Sequence, residues 1–144
     1  MAQTTVQDFV IAEAAALSGL TVSMLDYLCR QNVLAPSTPG RRGRGRSRRY
    51  SFGDVVMLRV IARLLKAGVS VERSKRALRA VRQYHKTITP TSVPTQFLVT
   101  DGRVVYFRNK NNLLDLDGSG QMSFLFVLEL RHVRNEVLRA ATGG

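Results

Sequence analysis

The sequence predicts an α+β protein: a helical, strongly basic first part followed by a small mixed α/β domain. Two observations carry this. Apolar residues recur at helical spacing up to about residue 86, and from residue 97 they gather into short runs rich in Val, Phe, Tyr and Leu bounded by turn residues. The charge divides at the same place. Residues 1–96 hold sixteen Lys/Arg against five Asp/Glu, a net of +11, whereas residues 97–144 hold six against five. The predicted organisation is therefore a basic helical domain over 1–86, a linker over 87–96 ("TITPTSVPTQ", with two prolines), and a second domain over 97–144. With a net charge of +12 the expected partner of the first part is a polyanion: nucleic acid, an anionic membrane or an acidic protein.

Taken in order, "FVIAEAAALS" (9–18) reads as a short helix stopped by Gly19. Thr21 opens a second helix through about Gln31, whose Val22, Leu25, Leu28 and Cys29 form its apolar face. Two short helices around a tight "SGLT" turn make a helix-turn-helix. Pro36 and Pro39 prevent helix from continuing into the basic stretch "PGRRGRGRSRRYS". Ser51 and Asp54 form a capping box for a helix with Val55, Leu58, Ile61, Ala62 and Leu65 on one face, ending near Ala67 with Gly68 as its stop. Ser70 caps the next helix, 71–86. Its inward candidates are Val71, Ala77, Leu78 and Val81, and its other face carries Arg73, Lys75, Arg76, Arg79, Arg82 and Lys86. Beyond the linker, 97–100 and 103–107 predict a hairpin turning at Asp101–Gly102, 122–128 a buried strand, and 129–140 a helix.

Six arginines fall within nine residues of the basic stretch, and no acid lies between Asp26 and Asp54. Placed between a helix-turn-helix and a capped helix, this segment is expected to be a β-hairpin wing rather than a solvated tail. Arginine's planar fork suits phosphates, guanine edges and narrow minor grooves.

The residues "IAEAAALSGLTVSMLDYLCRQNVLAPS" and "RRYSFGDVVMLRVIARLLKAGVSVERSKRAL" resemble the winged helix-turn-helix domain of the MerR family, over about residues 9–82. The C-terminal "VTDGRVVYF" and "LLDLDGSGQMSFLFVL" resemble the small α/β domain of a compact, actinobacterial-type branch of those regulators. The resemblance implies a transcriptional regulator on double-stranded DNA, working as a homodimer in the cytoplasm, in the nucleoid. It implies a recognition helix over 22–31 in the major groove, with Thr21, Ser23, Met24 and Tyr27 at its start facing the groove or its rim, Thr21 and Ser23 alternatively capping the helix, and Arg30 on a phosphate. The wing, 40–50, would place Arg41, Arg42, Arg44, Arg46, Arg48 and Arg49 on backbone or minor groove, with Tyr50 anchoring it or donating to a phosphate. RNA polymerase or another regulator is a further partner class.

Three departures stand out. Asp26 occupies the family's usual recognition-helix Arg position; a structural role is favoured over accepting from a cytosine amino group or pairing with Arg30. The wing is longer and richer in Arg than the family's norm. The helix at 71–86, followed by prolines, cannot supply the long coiled coil of typical MerR dimers.

Other signals are weaker. "DLDGSG" (115–120) imitates the start of a calcium loop, but position 12 is Phe126 rather than a bidentate Glu. Cys29 is a lone thiol read as a small buried residue, His85 and His132 have no ligand-spaced companions, and no nucleophile–base set or phosphate loop is evident. Neither enzyme activity, cofactor nor metal is expected, and the apolar runs are too short to span a membrane. The aromatics Tyr106, Phe107, Phe124 and Phe126 are read as core. Two rival readings stay open: an architectural or recombination accessory protein that bends DNA, and an antitoxin-like or polymerase-binding adaptor with a basic patch.

Overall fold

The structure, a computed structural model, describes residues 8–38, 49–85, 96–100, 105–109 and 126–142, with the backbone alone described between 80 and 128. The chain opens with strand β1 (Asp8–Phe9) and helix α1 (Ile11–Ser18). Phe9 is thus a strand residue and not the start of the helix. It pairs with Tyr50, and Asp8 with Ser51, in the short antiparallel sheet that β1 forms with β2 (Tyr50–Ser51). The Val10 N–H donates to Glu13 Oε1 at 3.2 Å, which settles one orphan donor of the first turn. Gly19 ends α1 in the left-handed conformation, φ 84°, as expected of a glycine stop. Helix α2 (Val22–Arg30) follows at once, its axis turned 103° from that of α1. This lies within the range of a helix-turn-helix. Asn32, φ 58°, turns the chain out of α2; asparagine is among the few residues that tolerate that region.

Helix α3 (Phe52–Lys66) is the centre of the molecule. Val55, Leu58 and Ile61 are fully buried as expected, but Ala62 and Leu65 are only half-buried, and Val56, Met57, Val60 and Leu64 are core. A single stripe does not describe α3 because it is covered from several sides: by α1, by α4 (Val71–His85) and by the C-terminal helix α5 (Leu130–Ala141). On α4, Ala77 and Leu78 face the core, and Ser70 Oγ accepts from the Arg73 N–H at 3.1 Å.

Strands β3 (Gln96–Thr100), β4 (Val105–Asn109) and β5 (Phe126–Glu129) form an antiparallel sheet in the order β4-β3-β5. Thr100 pairs with Val105, not with Arg103 as a two-residue Asp101–Gly102 turn would require. That turn itself lies outside the described residues, as do Val81 and Arg82 as side chains, residues 87–95, the calcium-like segment and Phe124. Strand β4 packs on α4, and β5 runs directly into α5. Leu130, Val133 and Val137 of α5 are fully buried in the same core as Leu25, Leu28 and Ile61.

An ionic clasp reinforces that docking. Arg59 Nε donates to Glu136 Oε1 at 3.0 Å, its Nη1 donates to the Leu17 carbonyl at 2.7 Å, and Arg63 Nη2 donates to Glu136 Oε2. One carboxylate therefore ties α5 to α3, and through Arg59 to the end of α1. Burial works against ionisation of Glu136, but the hydrogen bonds from Arg59 and Arg63 outweigh it and hold the carboxyl below its ordinary 4.5. A depressed carboxylate contributes stability that is present above 4.5 and lost as pH falls through the lower folded-state value. Glu136→Gln is expected to cost about 1 kcal/mol at neutral pH, an amount discounted for the partial exposure of all three side chains. Thermal unfolding across this acidic range should show wild type and variant converging as pH falls. A gap that persists once the carboxyl is protonated would contradict this.

Candidate nucleic-acid interface

Helix α2 has two faces. Leu25 and Leu28 are fully buried, and Met24 is partly buried against the core. On the opposite side Val22, Ser23, Asp26, Tyr27 and Arg30 are exposed, one turn above another. Thr21 is exposed as well, and its Oγ1 accepts from the Met24 N–H at 3.0 Å, so it caps the helix. Two expectations are corrected here. Val22 is 41% exposed and no part of the core, since it is the first residue of α2 and lies on the same side as the exposed Ser23 and Asp26; Cys29 is half-buried rather than buried. Asp26, favoured from sequence for a structural role, stands exposed on the polar face.

The two legs of the basic segment meet at a built root. Thr38 and Arg49 form an antiparallel bridge with both N–H···O bonds at 2.9 Å. Arg49 Nη1 lies 3.6 Å from Asp8 Oδ1. Beneath the bridge, the fully buried Asp54 joins both legs to the start of α3. Its Oδ2 accepts from the Ser37 N–H at 2.9 Å, the Ser37 hydroxyl at 2.6 Å and the Ser51 N–H at 2.8 Å, while Ser51 Oγ accepts from the Asp54 N–H at 3.0 Å. The capping box read from sequence is thus also the staple of the wing; only its long-range partner, Ser37, carried no local signal. Arg41, Arg42, Arg44, Arg46 and Arg48 lie outside the described residues.

Tyr50 is 2% exposed. Burial first, and then the negative character of Cys29, Asp26 and Asp54, push its hydroxyl up to about 12. It remains neutral, and of its two expected roles burial supports the anchor. At the C-terminal end of α2, Lys75 Nζ of α4 donates to the Gln31 carbonyl at 3.2 Å, and Arg73, Arg76 and Arg79 are exposed. Among the described residues no three His, Cys, Asp or Glu side chains cluster as a metal ion requires, and no single helix is long and apolar enough to cross a membrane.

A 103° helix pair with a polar outer face, the first helix packed on α3, defines a helix-turn-helix protein. Comparison with known proteins gives the family: residues 9–81 match the MerR HTH family of regulatory proteins, and the chain belongs to that family. It is 32% identical over 112 residues to HTH-type transcriptional regulators, each described as uncharacterized, of Mycobacterium bovis and of two strains of Mycobacterium tuberculosis. The match takes in 77% of this chain but 48% of each relative, so the chain spans about half the length of the curated relatives it matches.

Proposed function

We propose that this protein is a sequence-specific, double-stranded DNA-binding transcriptional regulator that works as a homodimer, in the cytoplasm and on the nucleoid. The observation that carries this is the exposed polar face of α2, opposite the buried Leu25 and Leu28, in a helix-turn-helix that the Arg-rich segment follows along the chain. Ser23, Tyr27 and Arg30, with the cap Thr21 and the edge of Met24, would meet the major groove. Arg41, Arg42, Arg44, Arg46, Arg48 and Arg49 would lie along the adjacent backbone or minor groove. Leu130, Val133 and Val137 of α5 are consumed within the chain, so the dimer contact would use another part of the C-terminal module or another surface. The same module is where RNA polymerase or another regulator would engage.

Affinity for duplex DNA, single strands and RNA, each between 50 and 200 mM salt, tests the reading. The duplex should bind most tightly. If about six phosphates are neutralised, its affinity should fall on the order of a thousandfold across that range. Equal affinity for all three would favour an adaptor whose basic segment grips any polyanion.

A further inference from the structure

Asp26 sits at the middle of α2, exposed, between Ser23 and Arg30 on the face turned outward. Among the described residues its side chain makes neither a hydrogen bond nor an ion pair, and Arg30, one turn on, does not engage it. It is an acceptor-only group in a region whose net charge is +11, on the surface offered to a polyanion. Docked against phosphate it would be repelled, and docked dry without a donor it would cost much of the helix's binding. The donors that a duplex presents in the major groove are the exocyclic amines of cytosine and adenine. Adenine's amine lies between two acceptors, its own N7 and the thymine O4. Cytosine's has an acceptor on one side only and a C–H on the other, which leaves room for a carboxylate.

We infer that Asp26 is a specificity-determining residue that accepts a hydrogen bond from the cytosine amino group of one base pair in each half-site. This rests on the reading of α2 as a recognition helix. Asp26 thereby trades general attraction for discrimination: it lowers affinity for all DNA and restores it only where the cytosine is present.

The test is selection from a random duplex library at about 150 mM salt, carried out in parallel on the full-length wild type, Asp26→Ala and Asp26→Asn, with thermal unfolding of each. Wild type should recover a motif with C·G at one position of each half-site. Asp26→Ala should lose the preference at that position alone, by about tenfold or more, while binding unrelated duplexes more tightly. Asp26→Asn should exchange cytosine for adenine there, since an amide pairs with the adenine N6 and N7. Unfolding temperatures should stay together, because among the described residues the Asp26 side chain makes neither a hydrogen bond nor an ion pair. If both variants return the wild-type motif with its cytosine intact, or if the whole motif changes, direct readout by Asp26 is overturned. If wild type itself returns no motif, the recognition-helix reading fails, and this inference with it.

Discussion

Replacing Arg41, Arg42, Arg44, Arg46 and Arg48 with Gln is expected to lower duplex affinity on the order of a hundred- to a thousandfold at moderate salt, and to reduce the steepness of its salt dependence by about five. Each arginine on a phosphate releases roughly one counterion, so the slope of log affinity against log salt counts the contacts directly. Arg49 is left in place because it pairs with Asp8 at the wing root. The motif selected by the variant should keep the positions read by α2, since phosphate contacts position the protein and base contacts specify the sequence. Binding isotherms at several salt concentrations decide the matter. An unchanged slope would mean that these arginines do not touch the backbone.

Asp54→Ala is expected to destabilise the protein by about 3–5 kcal/mol, measured by urea unfolding. The fully buried carboxylate receives three hydrogen bonds, from the Ser37 N–H and hydroxyl and the Ser51 N–H. Removing it strands these donors and strips the negative charge from the N-terminus of α3, where the helix dipole favours it. Asp54→Asn retains an acceptor of the same shape and should cost about half as much. The functional consequence is sharper than the stability loss, because the staple holds both legs of the wing. At temperatures where Asp54→Asn is still folded, its DNA affinity should already fall and its salt slope flatten. A variant that is destabilised but binds with an unchanged slope would show that the wing keeps its place without the staple.

Local chemistry made much of this architecture readable. Gly19, Thr21, Ser51 and Gly68 each terminate or cap a helix within a few residues of where their side chains or backbone predict it. What escaped was set by partners far along the chain. Strand β1 is two residues long, too short for any alternation, and exists because Phe9 meets Tyr50, 41 residues on. The broad burial of α3 reflects α5, whose Glu136 joins Arg59 and Arg63 across more than seventy residues. The hairpin register followed the usual Asp–Gly signal and was overruled by the pairing of Thr100 with Val105. In the site, periodicity separated Leu25 and Leu28 from Tyr27 and Arg30 correctly, but it also placed Val22 inside. It could not tell that the Asp26 side chain lacks a partner among the described residues, because that depends on what the neighbouring side chains do.

The most direct measurement of the central claim is the specificity ratio. The affinity of the full chain for its selected duplex is divided by that for a random duplex of the same length, at about 150 mM salt. Sequence readout by α2 predicts a ratio of about a thousand or more. A ratio near one, with both affinities collapsing together as salt rises, would contradict it and leave the arginines as a general grip on polyanions.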